Sequence, residues 1–389
     1  MKYFIVTYGC QMNVHESEKI AGILEDKGYQ PCQTREEADI IVFNTCAIRE
    51  GAEDRVFGNV GNLKKMKKKN KDLIIAVCGC MTQKKQTAEY LMKTFPFVDI
   101  VIGTFNLTKL GQYIDNLKNK RQLEIWEEGD IDETLSYKRT SGDNAWVNIM
   151  QGCNNFCTYC IVPYVRGREK SRSPENIVNE IKQIISENKY KKITLLGQNV
   201  NSYGNDIENG LNFAGLLKMI CSLEGDFKLS FMTSHPKDLT DEVIDVIAKK
   251  DKIEKYIHLP AQSGNNRILK LMNRRYTREK YLEIIDKIRS KIPNCRITSD
   301  FIVGFPTETD EEFEDTYDLV EKVRFDSIFA FMYSPREGTV ASKMEGQVDE
   351  KVKHERVNKL LNLEKIIQKE DNKSWVKKKN FRQAWMIIC

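Results

Sequence analysis

Histidine is almost missing from this chain. Of 389 residues only four are histidine, His15, His235, His258 and His354, and none falls near the densest cysteine group, Cys153, Cys157 and Cys160 in GCNNFCTYC (152–160). No fourth thiol stands near that group either. A structural zinc site wants four ligands, usually two CxxC pairs or one CxxC with two histidines, so the spacing argues against zinc. Charge of one sign is also lacking: the net charge of +5 is modest for the length. It permits a nucleic-acid partner only as a local patch. Long apolar runs are missing too. The opening YFIVT is too short for a secretory leader or a membrane span, so a cytosolic setting with reduced thiols is expected, and a disulfide framework is not.

Three thiols on one flexible loop suit a cubane iron–sulfur cluster, each holding one iron and leaving the fourth iron open to a small molecule. Incidental buried thiols are the alternative. The loop follows an apolar strand-like run, AWVNIM (145–150), and carries the aromatics Phe156 and Tyr159. Its Cx3Cx2C spacing resembles the signature of the radical S-adenosylmethionine (SAM) enzymes, a match that needs structural context.

The length suggests two or three domains, and 41% hydrophobic with 30% charged residues is ordinary for a globular protein. From 1 to about 120 the chain alternates strand and helix. Strands are expected at 3–9, 38–45, 72–79 and 98–103, with helices near 16–27, 55–67 and 107–118. Apolar strands separated by helices predict an α/β fold, a doubly wound parallel sheet covered on both faces. Cys10, Cys46 and Cys80 follow the first three of these strands, and carboxyl ends in such a sheet share one edge, where ligands gather. They are a second candidate trio or three unrelated loop thiols. Cys78 lies two residues earlier, inside the strand, where a packed thiol is expected.

From about 140 to 370, strands at 145–150, 192–197, 227–232, 255–260, 296–304 and 327–334 alternate with helical runs at 175–188, 242–250 and 278–292. This pattern predicts parallel βα units closing into a partial barrel, with function at the strand carboxyl ends. Gln198, Asn199, Ser234, His235, Gln262, Ser263 and Gly304 fall there. The lysine run KKMKKKNK (64–71) is expected to be a solvated helix end. Arg166, Arg168 and Arg172, beside the cysteine loop, are candidate phosphate contacts.

Dense matches in family order carry a closer resemblance: YGCQMNVHESE (8–18), NTCAIREGAEDRVFGNVGNL (44–63), CGCMTQ (78–83), IMQGCNNFCTYCIVPYVRGREKSR (149–172), LLGQNVNSYG (195–204), TSHPKDL (233–239), HLPAQSG (258–264), LMNRRYT (271–277), SDFIVGFPTET (299–309) and FMYSPREGT (331–339). The chain resembles the methylthiotransferase family of radical SAM enzymes, and Gln11, Met12 and Asn13 after the first cysteine resemble its MiaB type. The resemblance implies an N-terminal domain over 1–125 with an auxiliary [4Fe-4S] cluster on Cys10, Cys46 and Cys80. It selects Cys80 over Cys78, which spacing does not. It implies a radical-SAM partial (β/α) barrel over 140–370 with a SAM-binding [4Fe-4S] cluster on Cys153, Cys157 and Cys160. Asn199, Gln198, Ser234, Gln262, Ser263 and Gly304 are then SAM-pocket candidates.

The implied reaction is one-electron cleavage of SAM to a 5′-deoxyadenosyl radical, which opens C2 of an N(6)-isopentenyladenosine beside the tRNA anticodon to a methylthio group. No side chain is needed as a general base. A flavodoxin or ferredoxin donor, a monomer, a cytoplasmic location and no membrane partner are implied. Alternatives are methylthiolation of threonylcarbamoyladenosine or of a ribosomal protein, and a non-catalytic iron–sulfur protein. Family members continue into a TRAM barrel that helps hold tRNA. Here the helix-like 355–373 runs into SWVKKKNFRQAWMIIC, so 371–389 is expected to be an atypical tail in its place.

Overall fold

A computed structural model describes every residue except 48–50, 118–119, 132, 134–136, 140–141, 209 and 372–389. The chain divides into two compact units, one built on Met1–Gly142 with Val162–Arg172, the other on Asp143–Ile161 with the chain from Ser173 onward. The segment that follows the cysteine loop therefore belongs to the first unit. Apart from Asp371, which caps the last helix, the tail expected at 371–389 lies outside the described residues.

In the first unit six strands form one parallel sheet in the order Gln30–Pro31, Lys2–Thr7, Ile40–Thr45, Ile74–Gly79, Ile100–Ile102, Gln122–Glu124. Strand Ile40–Thr45 is buried at every residue, as a parallel strand covered on both faces must be. Ile40, Val42, Ala76 and Cys78 pack on one face with Ile20, Leu24 and Leu110. Ile41, Phe43, Ile75 and Val77 pack on the other with Val56, Val60 and Leu91. The chain leaves Lys2–Thr7 to one side, returns, and continues on the other. Strand order thus reverses between Lys2–Thr7 and Ile40–Thr45, and such a switch point opens a crevice at the strand carboxyl ends.

Two details depart from the sequence reading. The edge strands Gln30–Pro31 and Gln122–Glu124 are short and largely exposed, so no apolar run marks them. The single helix expected over 55–67 breaks at Leu63 into Ala52–Asn62 and Lys64–Lys69. Lys67 of the basic run donates to the Asp99 carboxylate at 2.8 and 2.9 Å, and its neighbours Lys64, Lys65, Lys68 and Lys69 face solvent.

The second unit carries two three-stranded parallel sheets: Asn144–Asn148, Lys192–Leu196 and Lys228–Phe231, then Tyr256–His258, Arg296–Val303 and Ser327–Met332. A parallel bridge from Leu229 to Ile253 links the first sheet to the approach to the second. One apolar core, including Val147, Leu195, Phe231, Ile257, Phe301 and Val303, runs through both. That is the architecture of a partial (β/α) barrel. Its helices begin where the sequence supplies caps: Ser173, Asn212, Thr240, Thr277, Thr309 and Asp349 each accept a backbone N–H with their side chains. Such caps contribute about 1 kcal/mol apiece. No helix among the described residues is long and apolar enough to cross a membrane.

Candidate metal and cofactor centres

At the switch point of the first unit, Cys10 is the N-cap of helix Gln11–Asp26, Cys46 follows strand Ile40–Thr45, and Cys80 follows Ile74–Gly79. Close approach is built in through glycine. A Cβ on Gly9 (φ +104) would lie 2.6 Å from Cys46 Cβ and 2.8 Å from its Sγ, and one on Gly79 (φ +107) would lie 2.5 Å from the Thr45 carbonyl oxygen. Positive φ and these distances admit only glycine at both places. Cys80 N–H donates to Thr45 O at 3.0 Å. Asn13 ties the edge together, donating from Nδ2 to Tyr8 O at 2.7 Å and to Thr45 O at 2.9 Å.

Arg166 reaches the same place from the segment 162–172. It is 2% exposed. Nη1 and Nη2 meet the two Glu16 carboxylate oxygens at 2.6 and 3.1 Å, and Nη2 also donates to Asn13 Oδ1 at 2.9 Å. Burial pushes the Cys80 thiol up to about 12, while the Arg166 guanidinium pulls it back down. An iron held by Cys80 would displace that proton. The structure therefore corrects the expectation that Arg166 and Arg172 contact RNA. Both are buried, and Arg172 Nε donates to Glu133 at 3.1 Å; of the three, only Arg168 is exposed.

Cys78 differs from Cys80 in its surroundings. It is fully buried among Ile40, Val42, Ala76 and Ile100, with Sγ 3.5 Å from Phe43 O, and burial raises its pKa. We expect Cys78→Ala to keep all iron and to cost about 1 kcal/mol of stability, whereas Cys80→Ala should lose one cluster's worth. Iron analysis and denaturant melts of the two variants check this, and the opposite pattern would overturn the choice of ligand.

In the second unit the loop bearing Cys153, Cys157 and Cys160 is clamped from several sides. Gly152 N–H donates to Gln198 Oε1 at 2.6 Å. Thr158 donates its N–H to Met272 O at 3.1 Å and its hydroxyl to Leu271 O at 2.8 Å. Asn273 Nδ2 donates to the carbonyls of Asn155 and Phe156, at 3.0 Å each. Lys237 Nζ donates to Asn155 Oδ1 at 2.9 Å. Phe156, Asn273 and Arg275 hold left-handed backbone (φ 47, 58 and 58), a strain that surrounding contacts must sustain. Among the described residues no three His, Cys, Asp or Glu side chains close on a single ion. A cubane does not require that, because its irons take one thiolate each.

The expected SAM-pocket residues divide. Asn199 donates from Nδ2 to Asp238 at 2.7 Å, but its Oδ1, Ser234 Oγ and Gln262 Oε1 are buried without a hydrogen-bond partner. They sit past the carboxyl ends of three consecutive strands, and Gln262 has φ 68. Buried orphaned polar atoms are rare and mark a missing partner; a SAM molecule, rich in donors and acceptors, fits them. Gln198, by contrast, holds the cysteine loop. Ser263 Oγ accepts from Asn265 N–H at 3.2 Å and lies 3.4 Å from Thr316 Oγ1. Gly304 (φ +70) makes room for Lys353, whose Cγ would be 2.3 Å from a Cβ there, and donates its N–H to Glu308 at 2.6 Å.

Two further residues lie beside these: His235, already placed at a strand end from the sequence, and Asn201, which was not singled out there. Asn201 Nδ2 and His235 Nε2 are also buried and unpartnered. His235 Nδ1 accepts from Lys237 N–H at 3.2 Å, so the proton of the neutral ring is on Nε2. Burial, with Arg274 and Lys237 adding to it, lowers its pKa and keeps it neutral. The signal available in the sequence was position alone, since Asn201 and His235 follow the same strand ends as Asn199 and Ser234.

Comparison with known proteins matches residues 147–320 to the Radical SAM superfamily and residues 2–103 to the uncharacterized protein family UPF0004. The chain is 55% identical over 377 residues to a tRNA-2-methylthio-N(6)-dimethylallyladenosine synthase of Clostridium botulinum (strain Langeland), covering 96% of this chain and 84% of that one. It is 52% identical over 375 residues to the protein of that name from Carboxydothermus hydrogenoformans, with 96% and 85% covered. Among solved structures, the radical SAM methyltransferase TsrM from Kitasatospora setae superposes with a TM-score of 0.65 at 12% identity, over 88% of this chain and 77% of that one. The cobalamin-dependent radical SAM enzyme OxsB gives 0.59 at 14% identity, over 95% and 56%. At these identities the structural likenesses speak to fold alone.

Proposed function

The chain belongs to the methylthiotransferase family of radical SAM enzymes, alongside the tRNA-2-methylthio-N(6)-dimethylallyladenosine synthases it matches, and from that premise we propose that it adds a methylthio group to C2 of N(6)-isopentenyladenosine next to the anticodon of tRNA. The observation that carries this reading is the coincidence of two thiol trios at strand ends with more than half identity across nearly the whole chain.

In this reading Cys153, Cys157 and Cys160 hold the SAM-binding [4Fe-4S] cluster, and Cys10, Cys46 and Cys80 hold the auxiliary one. The cofactors supply reductive SAM cleavage and the sulfur; the protein positions and shields them. Gln198, Asn273 and Thr158 fix the cysteine loop. Asn199, Ser234 and Gln262, joined by Asn201 and by the Nε2–H of His235, present donors and acceptors to SAM. Arg168, the exposed one of the three arginines after the cysteine loop, is the proposed contact to RNA phosphate. A flavodoxin- or ferredoxin-class electron donor and a monomeric, cytoplasmic enzyme complete the proposal.

The test is nucleoside mass spectrometry of tRNA from a strain that lacks its own methylthiotransferase and expresses this chain. The 2-methylthio derivative of N(6)-isopentenyladenosine should appear. A methylthio group on threonylcarbamoyladenosine instead, or no methylthiolated nucleoside, would refute the reading.

A further inference from the structure

Among the described residues four arginines are buried: Arg166, Arg172, Arg274 and Arg356. Three of them face carboxylates, on Glu16, Glu133 and Glu308 respectively. Arg274 does not. Its side chain comes from the LMNRRYT stretch that clamps the cysteine loop, and the residue is 4% exposed. Nη1 lies 3.4 Å from Cys157 Sγ and 3.5 Å from Tyr159 OH. Nη2 donates to Pro260 O at 2.8 Å, and Nε to Tyr276 OH at 3.1 Å. The Tyr276 hydroxyl donates onward to Ala261 O at 2.6 Å. Burial disfavours the charge of Arg274, and the groups that most oppose this are Tyr159, Tyr276 and Cys157.

A buried guanidinium without an anion is costly, because desolvation goes uncompensated. Among its described hydrogen-bonding neighbours, the Cys157 sulfur is the one that would become a firm anion on ligating iron. A cubane on three thiolates is negatively charged and gains a further unit of negative charge on reduction. Potentials of such clusters respond to net charge and to hydrogen bonds at the sulfurs. A fixed cation against a ligand sulfur favours the reduced form for the same reason that it favours any nearby anion.

We propose that Arg274 is the counter-cation of the SAM-binding cluster, a positioning residue that raises the cluster's reduction potential through the Cys157 sulfur. The proposal rests on reading Cys153, Cys157 and Cys160 as cluster ligands. The step it assists is the transfer of one electron from a low-potential one-electron donor, which is oxidised, to the cluster, which is reduced. No bond forms or breaks and no proton moves, since the guanidinium stays charged throughout.

The experiment is a redox titration of the full, anaerobically reconstituted chain carrying both clusters, followed by electron paramagnetic resonance. Added SAM marks the signal of the cluster it binds. Arg274→Gln should lower the reduced-to-oxidised ratio of that cluster about tenfold at a fixed potential, a shift of roughly 59 mV for one electron. The auxiliary signal and the SAM dissociation constant should stay within about twofold of wild type. Should Arg274→Gln shed iron, Arg274→Lys, which keeps the charge but draws it off the sulfur, is expected to lower the ratio about threefold.

An unchanged potential in a variant with full iron overturns the proposal, as does weaker SAM binding at an unchanged potential, which would assign Arg274 to SAM itself. Failure of the underlying ligand assignment looks different. In that case Cys157→Ala leaves iron content and the SAM-responsive signal untouched, and the proposal falls with it.

Discussion

Replacing Cys10, Cys46 and Cys80 together by alanine is expected to reduce iron from about eight to about four per chain and to abolish methylthiolation while SAM cleavage persists. The independence follows from the fold. These thiols stand at the edge of one parallel sheet, with Gly9 and Gly79 clearing the space around them. Cys153, Cys157 and Cys160 stand on a loop of the other unit, held by Gln198, Thr158 and Asn273. None of the second set of supports uses a residue of the first trio. Iron and sulfide analysis, 5′-deoxyadenosine release and tRNA nucleoside analysis on one preparation check the three parts. Loss of all iron, or none, would sink the assignment of two separate sites. Retained methylthiolation would remove the auxiliary trio from the chemistry.

Arg166→Ala should be strongly destabilising. Glu16 would keep its buried carboxylate and lose both hydrogen bonds to the guanidinium, and Asn13 Oδ1 would lose its donor. Removing one partner of a buried ion pair costs about 3–5 kcal/mol, because the remaining charge is uncompensated. For a unit of this size that is a fall in melting temperature of roughly 10 °C or more. Calorimetry on Arg166→Ala and on Arg168→Ala separates the two roles. The first should lose stability, whereas the second should keep it and weaken tRNA binding with a shallower salt dependence. If Arg166→Ala melts like the parent protein and only its tRNA affinity falls, the arginine is an RNA contact after all.

The two arginines show where reading the sequence stops. Arg166, Arg168 and Arg172 follow the cysteine loop closely and look alike as charges. Which of them is buried depends on Glu16 and Glu133 meeting the segment 162–172, and nothing within that segment encodes the partners. Gln198 and Asn199 make the same point: adjacent residues past one strand, the first clamping a loop backbone, the second leaving an oxygen open for a ligand. The orientation of each is set by a partner far away in sequence, Gly152 for one and Asp238 for the other. Arg274, inside a motif that was recognised without a role, becomes interpretable only when its neighbours turn out to include no carboxylate.

What the sequence determined by itself is what local periodicity and spacing carry. Apolar runs between amphipathic helices dictate parallel strands covered on both faces. Parallel strands place the residues after them along one edge, so Cys10, Cys46 and Cys80 were legible as a group, as were the strand-end loops with Asn199, Ser234 and Gln262. Tertiary structure decided what depends on contacts between distant residues: that Arg166 and Arg172 are buried against carboxylates, that Gln198 clamps the cysteine loop, and that Arg274 faces a sulfur. The physical reason is that burial and charge pairing are properties of a neighbourhood, and the chain assembles the neighbourhoods of Arg166 and Arg274 from segments more than a hundred residues apart, Arg166 with Glu16 and Arg274 with Cys157.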